Sequence, residues 1–318
     1  MRGISAWNAK VIWASGTNGT YLRTSDGGAT WKGATVPGAE QLDFRGIHAL
    51  NDRIVYLLSS GPGEKSRIYK TIDAGEHWTL QYKNPGPQGF FDAVAFWDAR
   101  HGIVLGDPVD GHFAVLTTED GGEHWHQQSG PPAIGQEGAF AASNSCLLAV
   151  GRRDAWFATG GLGGARVFHS KDAGRTWTAV STPIRNDSAS AGVFSIAFAD
   201  ARHGIAVGGD YTKPADGTHN IAVTSDGGRA WTEPTGQHPA GYRSAVIYWP
   251  REKAWIAVGT SGADISYDNG QTWKPFDTGA YNALSVAGER CWAVGPNGRL
   301  AFATRKKAAS AEKRPNRE

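Results

Sequence analysis

Three short segments of the sequence place an arginine at the start of an apolar, strand-like run. They read Arg2-Gly3-Ile4, Phe44-Arg45-Gly46-Ile47 and Tyr242-Arg243-Ser244-Ala245. A guanidinium group presents several N–H donors in a planar fork that matches a carboxylate or another oxyanion. If the three strands begin at one place in the fold, Arg2, Arg45 and Arg243 predict a binding site for an anionic group there.

Acidic and phenolic side chains occur in segments that would reach the same place. They are Asp107, Glu137, Asp210, Tyr211 and Tyr242. Together with the arginines, they favour a concave binding surface of mixed charge. A second interpretation remains open, because carboxylates around a channel, with a tyrosine, could also form the site of a glycoside hydrolase. The geometry of the groups decides between the two.

The elements that must position these residues are marked by an eight-residue phrase that occurs six times. It begins with Ser or Thr, has Asp third and Gly fifth, and ends with Trp. The aspartates are Asp26, Asp73, Asp120, Asp172, Asp226 and Asp268, and the tryptophans are Trp31, Trp78, Trp125, Trp177, Trp231 and Trp273. A period of about fifty residues with one such turn per period is typical of a β-propeller blade.

Each residue of the phrase has a structural role that explains its presence. The aspartate can accept hydrogen bonds from backbone N–H groups two residues on, and the glycine tolerates a positive φ. The tryptophan can bury its ring between neighbouring sheets. A calcium loop needs several oxygen ligands, whereas each phrase offers one aspartate. We therefore expect the six aspartates to be structural, with no catalytic residue, metal site or cofactor among the predicted features.

The strand pattern predicts an all-β fold, a seven-bladed β-propeller over residues 1–304. Six blades carry the phrase. Three further strand-like segments follow the last phrase and make a seventh blade without it and without a fourth strand: 283–287, 291–295 and 300–304. In the third blade, the pattern predicts a strand from His101 to Leu105 and then a loop from Gly106 to Asp110.

The distribution of charge bears on which partners the protein could bind. The formal net charge of the 318 residues is +2, and residues 305–318 hold six bases against two acids. We expect this basic tail to be disordered and the propeller itself to be slightly acidic, which disfavours a nucleic-acid partner.

Cys146 and Cys291 are the two cysteines. They are predicted to be free thiols, because they are far apart in the blade order and show no zinc spacing.

No window of the sequence reaches the eighteen apolar residues of a membrane span, so none is predicted. The segment after Met1 has no apolar core of the kind that marks a signal peptide.

The phrase, written Ser/Thr-x-Asp-x-Gly-x-Thr-Trp, resembles the Asp-box or BNR repeat. That repeat occurs in sialidases, sortilin-type receptors, xyloglucan-degrading enzymes and photosystem II stability/assembly factors. In more detail, the blade sequences are similar to those of the assembly factors, and this similarity extends over all seven blades. Three stretches show it: residues 16–28, Phe44-Arg45-Gly46-Ile47 and Gly208-Gly209-Asp210-Tyr211.

This resemblance implies a seven-bladed, non-enzymatic scaffold with a periplasmic or otherwise extracytoplasmic location, which we expect to be a monomer. It implies a protein partner, such as a segment of a membrane protein, bound by an arginine patch that corresponds here to Arg2, Arg45 and Arg243. A sialidase would carry an Arg-Ile-Pro motif near its start. The most similar segment of this chain, Pro183-Ile184-Arg185, has the reverse order.

Overall fold

Strands with alternating or continuous burial make up nearly all of the regular structure in the computed structural model, which describes residues 1–304. The predicted basic tail, residues 305–318, lies outside the described residues. Inner and second strands are short runs of apolar residues buried on both faces, such as Val55–Ser59. Such runs form strands that pack between two neighbouring sheets. The described chain is therefore all-β, as the sequence predicts.

The first three blades are four-stranded antiparallel sheets in which each strand pairs with the next along the chain. Blade one comprises β1 Gly3–Ala6, β2 Ile12–Ser15, β3 Thr20–Thr24 and β4 Lys32–Thr35. Blade two comprises β5 Phe44–Ala49, β6 Val55–Ser59, β7 Arg67–Thr71 and β8 Thr79–Lys83. Blade three comprises β9 Phe91–Phe96, β10 Gly102–Val109, β11 His112–Thr118 and β12 His126–Gln128.

Blades four and five are linked by an additional strand pair. The strand β13 Gln136–Gly138 pairs with β16 Gly160–Leu162, and β16 joins β19 where Gly160 lies opposite Gly192. A Cβ atom on Gly160 would lie 2.6 Å from the Gly192 Cα, so this close approach requires glycine. Blade four otherwise comprises β14 Leu147–Val150, β15 Asp154–Ala158, β17 Arg166–Ser170 and β18 Thr178–Ser181. Blade five comprises β19 Ala191–Phe198, β20 Gly204–Asp210 and β21 Ile221–Thr224.

The last two blades differ in strand number. Blade six comprises β22 Ala245–Trp249, β23 Ala254–Gly259, β24 Gly262–Ser266 and β25 Lys274–Asp277. Blade seven comprises β26 Ala283–Ala287, β27 Arg290–Val294 and β28 Leu300–Thr304. Within residues 1–304, the outer edge of β28 has no paired strand. Two short 3₁₀ turns, Gly63–Lys65 and Pro296–Gly298, complete the regular structure.

The six repeated turns share one hydrogen-bond pattern. In the first, the Gly28 N–H donates to Thr24 Oγ1 over 3.0 Å, and the Thr30 N–H donates to Asp26 Oδ1 over 2.9 Å. The aspartate therefore accepts from the residue four places on, not two as the sequence rule predicts. The glycine two places after each aspartate has a positive φ in all six turns, 95° at Gly28, as predicted. The backbone and ring of His77 lower the pKa of Asp73 in the second turn to about 2.

The tryptophan that ends each repeated turn packs against the preceding blade. Trp273 of blade six belongs to an apolar cluster with Ile205 and Val223 of blade five. Trp31 of blade one shares a cluster with Trp292 of blade seven in the same way. Six of the seven interfaces between blades thus contain such a ring. At the seventh, between blades six and seven, a small apolar cavity of about 140 Å³ lies beside Cys291 and Phe302.

Blade seven and blade one close the ring through side-chain packing and a few hydrogen bonds. Ile4 and Ile12 pack with Ala283 and Val294. The terminal ammonium of Met1 donates to the Gly295 carbonyl over 2.7 Å, and the Asn282 amide donates to the Met1 carbonyl over 2.8 Å.

Replacing one of the interface tryptophans tests this packing. We expect Trp273→Ala to lower the free energy of unfolding by about 3–5 kcal/mol, because it removes a fully buried ring and leaves a cavity between two blades. Trp7→Ala is the matched control, since Trp7 is 45% exposed and its loss should cost about 0.5 kcal/mol or less. Urea unfolding followed by circular dichroism measures both. Equal losses for the two variants would contradict the assigned role of Trp273.

Candidate binding site

A cavity of about 510 Å³ lies at the centre of the ring, on the face where the inner strands begin. We call this side the cavity face. Its charged and phenolic lining residues are Arg2, Arg45, Asp92, Asp107, Tyr211 and Tyr242. They come from blades one, two, three, five and six, so the ring brings together residues that are far apart in the sequence.

The segment of residues 139–146, between β13 and β14, crosses the centre of the ring and forms the floor of the cavity. Asn144 donates to the Val94 carbonyl of blade three over 3.0 Å and accepts from the Val94 N–H over 2.9 Å. Ser143 donates to the Ser244 carbonyl, at the start of blade six, over 2.8 Å. These contacts fix the crossing segment to blades on opposite sides of the axis. The sequence shows only a run of small residues here, which gave no signal of this role.

Arg2 and Arg45 meet at one wall of the cavity and share a single carboxylate. The Arg45 Nε donates to Asp43 Oδ2 over 2.7 Å, whereas the Arg2 Nε lies 3.8 Å from the same oxygen. Burial and the nearby positive charge of Arg45 lower the pKa of Arg2. Two guanidinium groups against one carboxylate leave this wall with an excess of positive charge and unused N–H donors. The structure thus brings Arg2 and Arg45 together at the cavity.

The structure places Arg243 differently from the sequence prediction. Its side chain is 1% exposed and forms an ion pair with Asp264 of β24, donating from Nε to Asp264 Oδ2 over 2.6 Å. The Ser261 hydroxyl accepts a second hydrogen bond from Arg243 over 2.9 Å. Arg243 does not line the cavity. A carboxylate on the neighbouring hairpin draws the guanidinium into the blade, so the cationic patch consists of Arg2 and Arg45.

Glu137 and Asp210 also lie outside the cavity. Glu137 is buried and bound by Arg166, whose Nε donates to Glu137 Oε1 over 2.9 Å. Asp210 is buried at the end of β20 and accepts hydrogen bonds from the backbone and hydroxyl groups of Thr212. Both acids have local structural partners. The tyrosine and glutamate pair of the glycoside hydrolase hypothesis is consequently not assembled.

Asp107 reaches the cavity because β10 is longer than predicted. The predicted loop from Gly106 to Asp110 is largely strand, since β10 continues to Val109 across a bulge between Gly106 and Pro108. The hairpin turns at Asp110 and Gly111, which have φ values of 52° and 79°. The bulge re-aims the Asp107 side chain, whose Oδ1 accepts from the Ala139 N–H over 2.9 Å. Burial raises the pKa of Asp107.

Aromatic rings form the opposite wall. Phe140 of the crossing segment stacks on Phe194 of β19, with ring centroids 3.8 Å apart and an interplanar angle of 9°. Tyr242 packs edge-on against Phe194 at 4.8 Å, and Tyr211 is 52% exposed at the rim. Burial raises the pKa of the Tyr242 hydroxyl, so this group stays protonated. The cavity thus offers a cationic wall and an apolar, aromatic wall.

Asp92 is the cavity residue that the sequence did not single out. It is fully buried in β9, and neither carboxylate oxygen has a hydrogen-bond partner among the described residues. Burial, and then the charge of Asp107, raise the pKa of Asp92 well above its usual range. An aspartate inside the apolar run Phe91-Asp92-Ala93-Val94 breaks the strand pattern, and this is the signal that could have found it.

Two other features of the described residues are less suited to recognition. A larger concavity, of about 1220 Å³, is lined by blades four, five and six, but its acids and histidine are already paired, as His169 is with Asp154 at 2.9 Å. The ligand atoms of Asp73, Glu76 and His77 lie within 4.8 Å of one another. These groups are exposed or half-buried, and the His77 Nδ1 is hydrogen-bonded to Asp73 over 2.7 Å.

Comparison with known proteins agrees with the fold class, a seven-bladed β-propeller. No protein-family model matches the chain. The chain is 30% identical over 118 residues to the chloroplastic photosystem II stability/assembly factor HCF136 of Arabidopsis thaliana. That alignment covers 35% of this chain and 26% of the relative's length. The chain therefore resembles the photosystem II stability/assembly factors, as its blade sequences predict.

Solved structures show the same fold at low identity. YCF48 bound to a D1 peptide matches with a TM-score of 0.67 and 17% identity, covering 96% of this chain and 93% of that one. YCF48 from Cyanidioschyzon merolae matches with a TM-score of 0.64 and 18% identity, covering 95% and 94%. The WD40 propeller domain of Doa1 matches with a TM-score of 0.63 and 13% identity, covering 96% and 93%. At these identities the likeness establishes the fold alone.

The buried pair of Arg243 and Asp264 provides a test of the placement of Arg243. Arg243→Met should lower the free energy of unfolding by about 3–5 kcal/mol, because it leaves Asp264 buried without its counter-charge. The double variant Arg243→Met/Asp264→Leu should recover most of that loss. Urea unfolding of the three proteins measures both effects. A loss below about 1 kcal/mol for the single variant, as expected for an exposed arginine, would contradict the buried placement.

Proposed function

We propose that this protein is a non-enzymatic, protein-binding scaffold of the photosystem II stability/assembly factor type, which binds a segment of a partner protein at the cavity face. The observation that carries this proposal is the wall formed by Arg2 and Arg45, where two guanidinium groups share the one carboxylate of Asp43. The resemblance to the assembly factors supports the class of function, and one of the similar folds is that of YCF48 bound to a D1 peptide.

The two walls of the cavity suit a peptide better than a small ion. Guanidinium groups can bind a carboxylate of the partner, while the aromatic side chains Phe140, Phe194 and Tyr211 supply apolar contact area for a neighbouring side chain. The exposed ring of Tyr211 extends this contact to the rim. We infer that the partner is a membrane-protein segment that lies outside the bilayer.

We infer a periplasmic or otherwise extracytoplasmic location by the same resemblance, and a monomeric state. Cys146 and Cys291 are free and buried, and burial raises the pKa of Cys291 to about 12. Protonated, inaccessible thiols react slowly with oxidants, which suits an oxidising compartment. Among residues 1–304, no helix is long and apolar enough to cross a membrane.

Site-specific photo-crosslinking tests the proposed face and identifies the partner. We expect Tyr211→p-benzoylphenylalanine to crosslink one partner protein in cells of the source organism, because the side chain lies at the cavity rim. Trp7→p-benzoylphenylalanine is the control, since Trp7 is also exposed but follows β1 at the opposite face. Mass spectrometry of the products identifies the crosslinked segment.

The charge requirement is tested in the same experiment. Arg45→Glu should abolish crosslinking from position 211, because it reverses the charge of the cationic wall. Arg53→Glu, at the exposed turn of the same blade on the opposite face, should leave it unchanged. The same products from positions 7 and 211, or products that are insensitive to Arg45→Glu, would refute the proposed face.

For the glycoside hydrolase alternative, we expect no turnover of fluorogenic sialosides, glucosides or xylosides above a protein-free blank. The physical reason is that Glu137 is held by Arg166 and the Tyr242 hydroxyl stays protonated, so neither can act as a nucleophile or base. Turnover that Arg45→Glu abolishes would restore this alternative.

A further inference from the structure

Asp92 lines the cavity with a buried carboxyl group that has no hydrogen-bond partner among the described residues. Its side chain is fully buried, and both carboxylate oxygens lack a hydrogen-bond partner among the described residues. Burial of a polar group without a partner costs free energy, so such groups are rare in folded proteins. A group supplied from the cavity would offset that cost.

The groups that face Asp92 come from three neighbouring elements. Asp107 lies on β10, Arg45 on β5, and Cys146 at the end of the crossing segment. The charge of Arg45 and the Ala141 N–H, which faces Asp92 without the geometry of a full hydrogen bond, favour the charged form of Asp92, but burial and Asp107 oppose it more strongly and raise its pKa. Cys146 stays protonated, since burial and the charge of Asp92 raise its pKa. Asp92 therefore holds a proton to a higher pH than an exposed aspartate does.

Within residues 1–304, the cationic wall of the cavity holds a buried hydrogen-bond donor without a partner, beside Asp43 Oδ1, an acceptor that also lacks one. The buried Nε of Arg2 has no hydrogen-bond partner among the described residues, since Asp43 lies 3.8 Å away. A protonated Asp92 adds an O–H donor to the unused N–H groups of Arg2 and Arg45. The group that completes this set must accept several hydrogen bonds and carry negative charge. An ammonium group fits poorly, because Arg2 and Arg45 repel it.

We propose that the cavity binds a carboxylate group of the partner together with a proton, which Asp92 holds and donates to the bound carboxylate in a hydrogen bond. Arg2 and Arg45 provide the counter-charge for the ligand. This inference rests on the proposed function and specifies what the site recognises: a chain-terminal or side-chain carboxylate rather than a neutral peptide surface. Asp92 acts here as a proton-linked binding residue.

The proposal fixes the sign of the pH dependence. A bound carboxylate places negative charge beside Asp92 and Asp107, so it raises the pKa of the acid above the value in the free protein. Binding then takes up a proton, and affinity is highest below the pKa of the free protein. It falls as pH rises between the free and bound pKa values, by up to about tenfold per pH unit for one proton.

Calorimetry with a pair of probes tests this inference. The probes are acetylated tetra-alanine with a free terminal carboxylate and the same peptide with a terminal carboxamide. We expect the carboxylate peptide alone to bind, with an affinity that falls as pH rises above the pKa of Asp92 in the free protein. Titration in two buffers of different protonation enthalpy should give an uptake of up to one proton.

Two variants separate the role of Asp92 from general electrostatics. Asp92→Asn keeps a neutral hydrogen-bond donor of the same shape, so it should bind the carboxylate peptide with little pH dependence and no proton uptake. Asp52→Asn, an exposed acid in the turn between β5 and β6, should behave as the unmodified protein. Persistence of the pH profile in Asp92→Asn, tighter binding at higher pH, or equal binding of both peptides would overturn the proposal.

Failure of this inference can be told apart from failure of the proposed function. If the carboxylate peptide does not bind while crosslinking from position 211 persists and depends on Arg45, the cavity face binds a partner but does not recognise a carboxylate. Loss of both results would reject the cavity face as a binding surface altogether.

Discussion

Seven sheets that meet around one axis leave an opening at their narrow inner ends, and the whole site depends on how this chain fills that opening. The crossing segment, residues 139–146, spans it and is held by hydrogen bonds from Asn144 and Ser143 to blades three and six. The channel thereby becomes a blind cavity with a floor. Without that floor, Asp92 would face water and Phe194 would lose the Phe140 ring that stacks on it.

The second constraint is the filling of the interfaces between blades. Each repeated turn combines a tight backbone with a tryptophan that packs on the preceding blade, so one local motif both ends a hairpin and joins two sheets. Blade seven lacks the motif, and the neighbouring interface uses Trp249 of β22 and Tyr281 instead, with smaller apolar side chains around them. Within residues 1–304, six interfaces between blades are therefore filled by the tryptophan of a repeated turn, and one is not.

Repetition made the fold predictable, while the site depended on features that do not repeat. The six phrases and the three strand-like segments after them predicted seven blades, because each repeated turn needs only local geometry. Arg45 and Arg243 stand at equivalent places in similar segments, yet one shares Asp43 at the cavity wall and the other is buried with Asp264. The difference lies in which hairpin offers a carboxylate nearby. Asp92 could be found only as a break in an apolar strand, since Arg45 and the crossing segment, which lie beside it, come from outside its blade.

The cavity draws Arg2 from the first blade and Tyr242 from the sixth, so its parts lie near opposite ends of the described chain. During synthesis the amino-terminal blades emerge first, and their share of the site cannot be completed until the last blades have left the ribosome and docked on blade one. A nascent or truncated chain thus has no competent pocket. The proposed binding would therefore require the complete ring, so that incomplete copies would not compete for the partner.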